Sequence, residues 1–213
     1  MSMRFLIDDP GKAYATVLLA HGAGAPMDST AMAGLTSALV DVGLRVARFE
    51  FEYMAAHRVG RRTPPPRAEL LKQEYCLAVG ELKRSGPLII GGKSMGARVA
   101  SMVVDEFYED CVVTGLLCIG YPFHPPAKPQ QLRTAHLETL KTPALFCQGT
   151  RDKFGTRAEV ETYGLPDRIE ILWLEDGDHD LQPRKKLSGF SQDQHLKTLA
   201  RTTRDWVHRL ISS

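Results

Sequence analysis

The stretch LIIGGKSMGARVAS, residues 88–101, passes from an apolar run through two glycines to a serine, a third glycine and a helix-like pattern. The apolar run is short and ends in glycine, as a buried strand does, whereas the apolar spacing after the turn favours a helix. A β-carbon at Gly92 or Gly96 would crowd so tight a turn, which explains the glycines. The stretch therefore predicts a strand, a sharp turn with Ser94 at its tip, and a helix.

Strand-like and helix-like segments alternate along the rest of the chain. Short apolar runs lie at 15–20, 45–51, 87–92, 114–120, 142–149 and 168–175. Stretches with helical spacing lie at 29–42, 67–84, 97–109, 156–163 and 192–211. Parallel strands need crossovers, usually helices, and continuous apolarity is typical of strands buried on both faces. The pattern predicts one α/β domain over residues 1–213, with a mostly parallel twisted sheet and helices on both faces.

The bulk composition is that of a globular protein. Of 213 residues, 43% are hydrophobic and 24% charged, and the net charge of +2 lacks the basic excess of a nucleic-acid-binding domain. No segment approaches the roughly 20 apolar residues of a membrane span, and residues 1–12 carry acidic groups where a signal peptide would be apolar. We expect a soluble cytoplasmic protein with no nucleic-acid or membrane partner, and no feature indicates a protein partner.

The cysteines give no sign of a disulfide framework or a metal site. Cys76, Cys111, Cys118 and Cys147 lie far apart, without Cys-x-x-Cys spacing and without a histidine pair at ligand intervals. Cys118 and Cys147 fall inside apolar runs, where cysteine acts as a small hydrophobic residue. We therefore expect buried free thiols, which suits a reducing compartment.

The sequence from Gly92 to Gly96 matches the Gly-x-Ser-x-Gly nucleophile elbow in its required context between a strand and a helix. Such a turn lifts the Ser94 hydroxyl clear of the sheet, at the positive end of the helix that begins near Ala97. The alternative is a glycine-rich turn in which Ser94 only caps the helix. The context favours Ser94 as a catalytic nucleophile.

A serine nucleophile needs a base and an orienting acid, which follow it in the order acid, histidine in this kind of fold. Asp152 and His179 each come just after a predicted strand, at the same sheet edge as Ser94. Of the other histidines, two precede Asp152 in sequence and two lie on the predicted C-terminal helix. Three further aspartates lie so close to His179 in sequence that they rarely could reach the far nitrogen of its ring. These less favoured candidates are His124, His136, His195, His208, Asp176, Asp178 and Asp180.

Two backbone N–H groups are candidates for an oxyanion hole. One is that of Met95, directly after the nucleophile, and the other is that of Ala23 in the loop His21-Gly22-Ala23 after the first apolar run. Small residues in this loop let the backbone approach a substrate. These groups would hold the negative charge that develops on a carbonyl oxygen.

Five stretches, LLAHGAGAPMDS, GGKSMGARVAS, GYPFHPPAKPQQLRTAHL, TPALFCQGTRDKFG and DGDHDLQP, resemble the small α/β-hydrolase family related to dienelactone hydrolases. They are most similar to the branch with testis-expressed and nonspecific-lethal-complex hydrolase-like proteins. The resemblance implies an eight-strand-type core without a large lid, and a triad that falls on Ser94, Asp152 and His179. Dienelactone hydrolases proper have cysteine at the elbow, so we do not expect a dienelactone substrate.

These features together predict a serine hydrolase that cleaves a small carboxylic ester or thioester through an acyl-enzyme intermediate. The mechanism requires no metal or organic cofactor. Peptide cleavage is the second choice, since a compact chain favours small substrates. The alternative from another class is an interaction module on a hydrolase fold, with little or no activity.

Two irregular stretches follow predicted strands: 57–67, which is basic and proline-rich, and 121–131, which carries four prolines. Loops at this edge of an α/β sheet line its binding crevice. Arg58, Arg61 and Lys128 are therefore candidates for a clamp on a carboxylate or phosphate of the substrate, since guanidinium groups bind both. The alternative is a solvated surface loop.

Overall fold

The computed structural model describes residues 3–212. Its strands are β1 (Phe5–Asp8), β2 (Thr16–Ala20), β3 (Arg45–Phe49), β4 (Leu88–Lys93), β5 (Gly115–Ile119), β6 (Ala144–Gly149) and β7 (Ile169–Leu174). They form one sheet in the order β1-β3-β2-β4-β5-β6-β7, in which β1 is antiparallel to β3 and the other pairings are parallel. The predicted α/β class with a mostly parallel sheet is confirmed.

Helices cover both faces of this sheet. They are α1 (Thr30–Val40), α2 (Glu52–Arg58), α3 (Lys72–Glu81) after a 3-10 turn (Ala68–Leu71), α4 (Met95–Ser101), α5 (Val104–Glu109), α6 (Arg157–Val160), α7 (Lys185–Ser188) and α8 (Gln192–Ser212). Leu18 and Ala20 of β2 pack into the cluster under α3, α4 and α5, whereas Val17 and Leu19 pack into the cluster under α1 and α8. Both faces of β2 are thus buried, as its continuous apolarity predicts.

Three elements, β1, α2 and the four-residue α7, were not predicted from the sequence, and the number of strands also differs from the expected one. The described residues form seven strands rather than the eight-strand type. β1 was missed because it is a short edge strand, only partly buried, with Ile7 exposed. α2 was missed because residues 57–67 were expected to be irregular from their start, whereas His57 and Arg58 form the last turn of this helix.

The helical stretch expected at 97–109 is in fact two helices. α4 begins at Met95, directly after Ser94, and ends at Ser101, and α5 begins at Val104. The earlier start matters for the site because it leaves Ser94 at the N-cap of α4. Between residues 3 and 212, the connections at the carboxyl edge of the sheet are loops and short helices, without a large lid.

The cysteines are free, but only two of them are fully buried. Cys118 and Cys147 lie in β5 and β6, where burial raises the pKa of both thiols. Cys76 is partly buried and Cys111 is exposed, which corrects the expectation that all four thiols are buried. In the described part of the chain, no helix has the length and apolarity that a membrane span requires.

Candidate active site

Ser94 sits at the turn between β4 and α4 in a conformation that residues with a β-carbon seldom adopt. Its φ is 53° and its ψ is −114°. A Cβ at Gly92 would lie 2.5 Å from the Ala20 carbonyl oxygen, and one at Gly96 would lie 2.4 Å from the same atom. The two glycines let the turn press against the end of β2, and the left-handed serine projects its hydroxyl away from the sheet.

Three residues from different strand ends form one hydrogen-bonded chain. His179 Nε2 lies 2.8 Å from Ser94 Oγ, and His179 Nδ1 lies 2.8 Å from Asp152 Oδ2. Asp152 follows β6 and His179 follows β7, so the parallel sheet brings their loops to the edge where β4 ends. The structure therefore brings together the three residues that the sequence singled out.

Asp152 is completely buried, so its carboxylate needs partners inside the protein. The backbone N–H of Phe154 donates to Oδ1 at 2.9 Å, and the Gln148 side-chain amide donates to Oδ2 at 2.9 Å. His179 supplies the remaining contact to Oδ2. These donors hold the Asp152 side chain in place and leave it aimed at the imidazole.

The His179 ring is fixed by its neighbours as well as by Asp152. The Phe154 ring packs against it, with ring centroids 4.2 Å apart. Gly120 has a φ of 57°, and a Cβ there would lie 2.9 Å from the His179 carbonyl oxygen. The loop is also tied to the elbow, because Lys93 pairs with Asp180 at 2.6 Å. The ammonium of Lys93 lowers the pKa of Asp180 below its usual value.

The candidate oxyanion hole combines the start of α4 with the loop after β2. Met95 is the first residue of α4, and the first N–H groups of a helix have no acceptor within that helix. Ala23 lies beside the same cavity as Ser94 and Met95, and Tyr53 Oη donates to the Ala23 carbonyl at 2.9 Å. Both residues therefore border the space above Ser94.

His21 orients the peptide bond that carries the Ala23 N–H. The Phe51 N–H donates to His21 Nε2 at 3.2 Å, so Nδ1 carries the ring proton and donates to the Gly22 carbonyl at 2.7 Å. In a trans peptide the N–H points opposite to the C=O. The hydrogen bond from His21 to the Gly22 carbonyl therefore sets the direction of the Ala23 N–H. His21 is fully buried, and burial lowers its pKa, which keeps the ring neutral.

Two cavities meet at Ser94. The larger, which we call the arginine-lined cavity, has a volume of about 540 Å³ and is lined by Met95, Arg67, Arg98, Arg133 and others. The smaller, which we call the histidine-side cavity, has a volume of about 300 Å³ and is lined by His179, Lys93, Asp180 and the loop after β2. The larger volume is within the range of small-molecule sites, about 300–1,000 Å³.

The structure does not bring the three clamp candidates to these cavities, which corrects that part of the prediction. Arg58 binds both carboxylate oxygens of Glu50 at 2.7 Å and also contacts Asp28 at 2.7 Å, so it ties α2 to the loop after β2. Arg61 and Lys128 are exposed and line neither cavity. Proximity in sequence to a strand end did not determine where these side chains point.

Several contributors to the site were missed in the sequence. Gln148 had a signal, a polar residue inside the apolar run of β6, where a buried amide must find partners. His21, the first residue after β2, had a similar one. Arg133 had none, because it lies in a long irregular loop. Among residues 3–212, no cluster of three or more His, Cys, Asp or Glu side chains is arranged to hold a metal ion.

The fold and the site geometry define the class of protein. The chain belongs to the alpha/beta hydrolase domain family, whose model matches residues 13–208. Solved structures with the same fold include a serine hydrolase without a lid from Xanthomonas campestris, with 16% identity, a TM-score of 0.73, and coverage of 96% of this chain and 89% of that one. A dienelactone hydrolase from Anabaena variabilis has 19% identity, a TM-score of 0.71, and coverage of 98% and 92%.

Another similar structure is Est1E from Butyrivibrio proteoclasticus with bound ferulic acid. It has 11% identity, a TM-score of 0.69, and coverage of 99% of this chain and 96% of that one. At these identities the likeness shows the fold. It shows neither the substrate nor the roles of individual residues in this protein.

Proposed function

We propose that this protein is a serine hydrolase that cleaves a small carboxylic ester or thioester through an acyl-enzyme intermediate on Ser94. The proposal rests on the hydrogen-bonded chain from Ser94 Oγ through His179 to buried Asp152, with 2.8 Å at each link. A serine that only caps a helix has no need of His179 and Asp152 as partners. Nor does it need a backbone with positive φ, which costs on the order of 1–3 kcal/mol. This arrangement suits a nucleophile, a general base and an orienting acid.

In the first half of the reaction, Ser94 Oγ attacks the carbonyl carbon while His179 Nε2 takes the hydroxyl proton. Asp152 stabilises the resulting imidazolium, and the N–H groups of Ala23 and Met95 hold the negative oxygen. The bond from carbon to the leaving oxygen or sulfur then breaks, and His179 returns its proton to the leaving group. The products of this half are a free alcohol or thiol and an acyl group on Ser94.

In the second half, water replaces the alcohol. His179 takes one proton from water as the remaining hydroxyl attacks the acyl carbon, and the tetrahedral intermediate uses the same oxyanion hole. When the bond to Ser94 Oγ breaks, His179 returns the proton to the serine. The acid leaves, and the enzyme regains its starting state without a cofactor.

Two further observations support this proposal. The two cavities that meet at Ser94 give the acyl part and the leaving group separate places. The elbow serine and the stretches similar to the dienelactone-hydrolase-related branch, with its testis-expressed and nonspecific-lethal-complex hydrolase-like proteins, agree with hydrolysis at serine rather than cysteine.

A fluorophosphonate probe tests the nucleophile directly. We expect it to label the wild-type protein and the Ser85→Ala variant, whose altered serine is exposed and distant in the fold, but not Ser94→Ala. Hydrolysis of short p-nitrophenyl esters and acyl thioesters should fall in Ser94→Ala by at least a thousandfold, because the acyl-enzyme cannot form. Circular dichroism checks that the variant is folded.

Labelling or ester hydrolysis that persists in folded Ser94→Ala contradicts the mechanism. A wild-type protein that neither takes the probe nor hydrolyses any ester or thioester of the panel contradicts the function. That second result would favour an interaction module on a hydrolase fold.

A further inference from the structure

The arginine-lined cavity places an excess of positive charge beside Ser94. Its wall carries three guanidinium groups, those of Arg67, Arg98 and Arg133, and one carboxylate, that of Glu69. Glu69 pairs with Arg98 and so offsets one of the three charges. The remaining two positive charges face a cavity that also contains the candidate nucleophile.

Arg133 differs from Arg67, which is exposed, and from Arg98, which pairs with Glu69. It is partly buried, and none of the carboxylates in residues 3–212 lies within 4.0 Å of its guanidinium. Its side chain makes one long contact, from Nη1 to the Pro122 carbonyl at 3.5 Å. Burial, together with the positive charge of Arg98, lowers the pKa of Arg133 from its usual value. A partly buried cation without a counter-ion has lost part of its hydration, so a bound anion at this point would stabilise it.

Arg98 adds a second positive charge to the same wall. Its Nη2 binds Glu69, but its Nε is buried and has no acceptor in the structure. Arg98 lies one helical turn after Ser94, since its backbone N–H donates to the Ser94 carbonyl. The positive charge of Arg98 thus lies close to the nucleophile, in the wall that it shares with Arg133.

The position of His179 indicates which part of a substrate occupies each cavity. His179 must return its proton to the leaving group, so the alcohol or thiol lies on the side of His179 Nε2. His179 lines the histidine-side cavity and does not line the arginine-lined cavity. The acyl chain therefore extends into the arginine-lined cavity.

We propose that Arg133, with Arg67 at the rim of the cavity, binds a carboxylate at the far end of the acyl chain. The preferred substrates are then monoesters or monothioesters of dicarboxylic acids. Arginine suits this task because its planar fork can bind a carboxylate through two parallel hydrogen bonds. This inference rests on the proposed function, because it assigns the acyl side from the role of His179.

A matched pair of substrates tests the inference: the mono-p-nitrophenyl ester of adipic acid and the same ester with its free carboxylate capped as a methyl ester. At low salt, we expect kcat/KM of the wild-type protein to be at least tenfold higher for the anionic ester, as a charged hydrogen bond predicts. This preference should decrease with added salt. Free adipate should inhibit more strongly than hexanoate.

Variants assign the preference to Arg133. We expect Arg133→Gln to lower the ratio of anionic to neutral kcat/KM at least tenfold, and Arg133→Lys to give an intermediate ratio because it keeps the charge without the fork. Arg62→Gln is the matched control, since it also removes one positive charge but is exposed and lines neither cavity. It should keep the wild-type ratio.

Equal kcat/KM values for the two esters overturn the anion site and leave the serine hydrolase intact. The role of Arg133 is overturned if Arg133→Gln leaves the ratio of anionic to neutral kcat/KM unchanged. It is also overturned if Arg62→Gln lowers that ratio as much as Arg133→Gln does. If Arg133→Gln does not fold, equal inhibition of the wild-type protein by adipate and hexanoate overturns the inference. If the wild-type protein shows no Ser94-dependent hydrolysis of either ester, the proposed function is overturned, and the anion site with it.

Discussion

At the scale of single residues, His21 acts on the proposed oxyanion hole from outside the hydrogen-bonded chain of Ser94, His179 and Asp152. Within residues 3–212 its ring makes no hydrogen bond to Ser94 or His179, yet its Nδ1–H holds the peptide bond that carries the Ala23 N–H. The Phe51 N–H donates to the other ring nitrogen, Nε2, so the ring proton stays on Nδ1. His21 is therefore a positioning residue for the proposed oxyanion hole.

We expect His21→Ala to lower kcat for a short ester by at least tenfold with little change in KM. The reason is that the Ala23 N–H loses its fixed direction, and this donor matters most when charge develops on the oxygen. His21→Asn should recover part of the rate, because the amide nitrogen of asparagine can take the place of Nδ1 as donor. Steady-state kinetics on folded variants measures both effects.

The control for this prediction is His208→Ala, which removes an exposed histidine on α8. It should leave kcat and KM as in the wild-type protein. If His21→Ala raises KM and leaves kcat unchanged, His21 acts on substrate binding and not on the oxyanion hole.

At the scale of elements, the position of α4 on the end of β2 determines where Ser94 points. A Cβ at Gly96 would meet the carbonyl oxygen of Ala20 at 2.4 Å and that of His21 at 2.7 Å. These are backbone atoms of a central strand and its loop, so they cannot move aside as a flexible side chain can. A methyl group at residue 96 would therefore push α4 away from β2.

We expect Gly96→Ala to lower the free energy of unfolding by about 3 kcal/mol, because the overlap strains either α4 or β2. Gly80→Ala is the matched control: Gly80 lies in α3, and a Cβ there meets nothing within 4 Å. That change should raise stability by up to about 1 kcal/mol through helix propensity. Urea denaturation measures both values, and a Gly96→Ala protein as stable as the wild type would contradict this account of the elbow.

At the scale of the whole molecule, a partly buried histidine links stability to pH. His136 Nε2 lies 2.8 Å from Ser101 Oγ and 3.4 Å from Tyr121 Oη. Burial, and then the positive charge of Arg98, lowers the pKa of His136 to about 4. In the unfolded chain the imidazole has a pKa of about 6.5. Between these values the unfolded chain binds a proton that the folded protein excludes.

Stability should therefore decrease as the pH falls from about 6.5 towards 4, since acid favours the state that binds more protons. For a group that keeps some solvent contact, we expect a loss on the order of 2 kcal/mol across this window. His136→Gln removes the titrating group. Urea denaturation at several pH values should show a shallower acid loss in this variant, and equal pH slopes for the two proteins would contradict the assignment.

Much of the fold follows from local patterns that burial imposes. The strands β2, β4, β5 and β6 are buried on both faces, so their sequences are continuously apolar and easily recognised. β1 was harder to recognise because an edge strand pairs on one side only and keeps side chains in solvent. α2 was hidden because its polar last turn runs into a proline-rich stretch.

The sequence by itself determined the elbow, the order of serine, acid and histidine, and the edge of the sheet where they meet. It could do so because a parallel sheet with helical crossovers brings the ends of its strands to one edge, whatever the loops contain. Only the tertiary structure decided which arginines face the site. Arg58 contacts Asp28, which lies 30 residues earlier in the chain, whereas Arg133 lines the cavity from an irregular loop with no periodic pattern. Side chains on loops are directed by the partners that folding brings to them, and those partners are not neighbours in sequence.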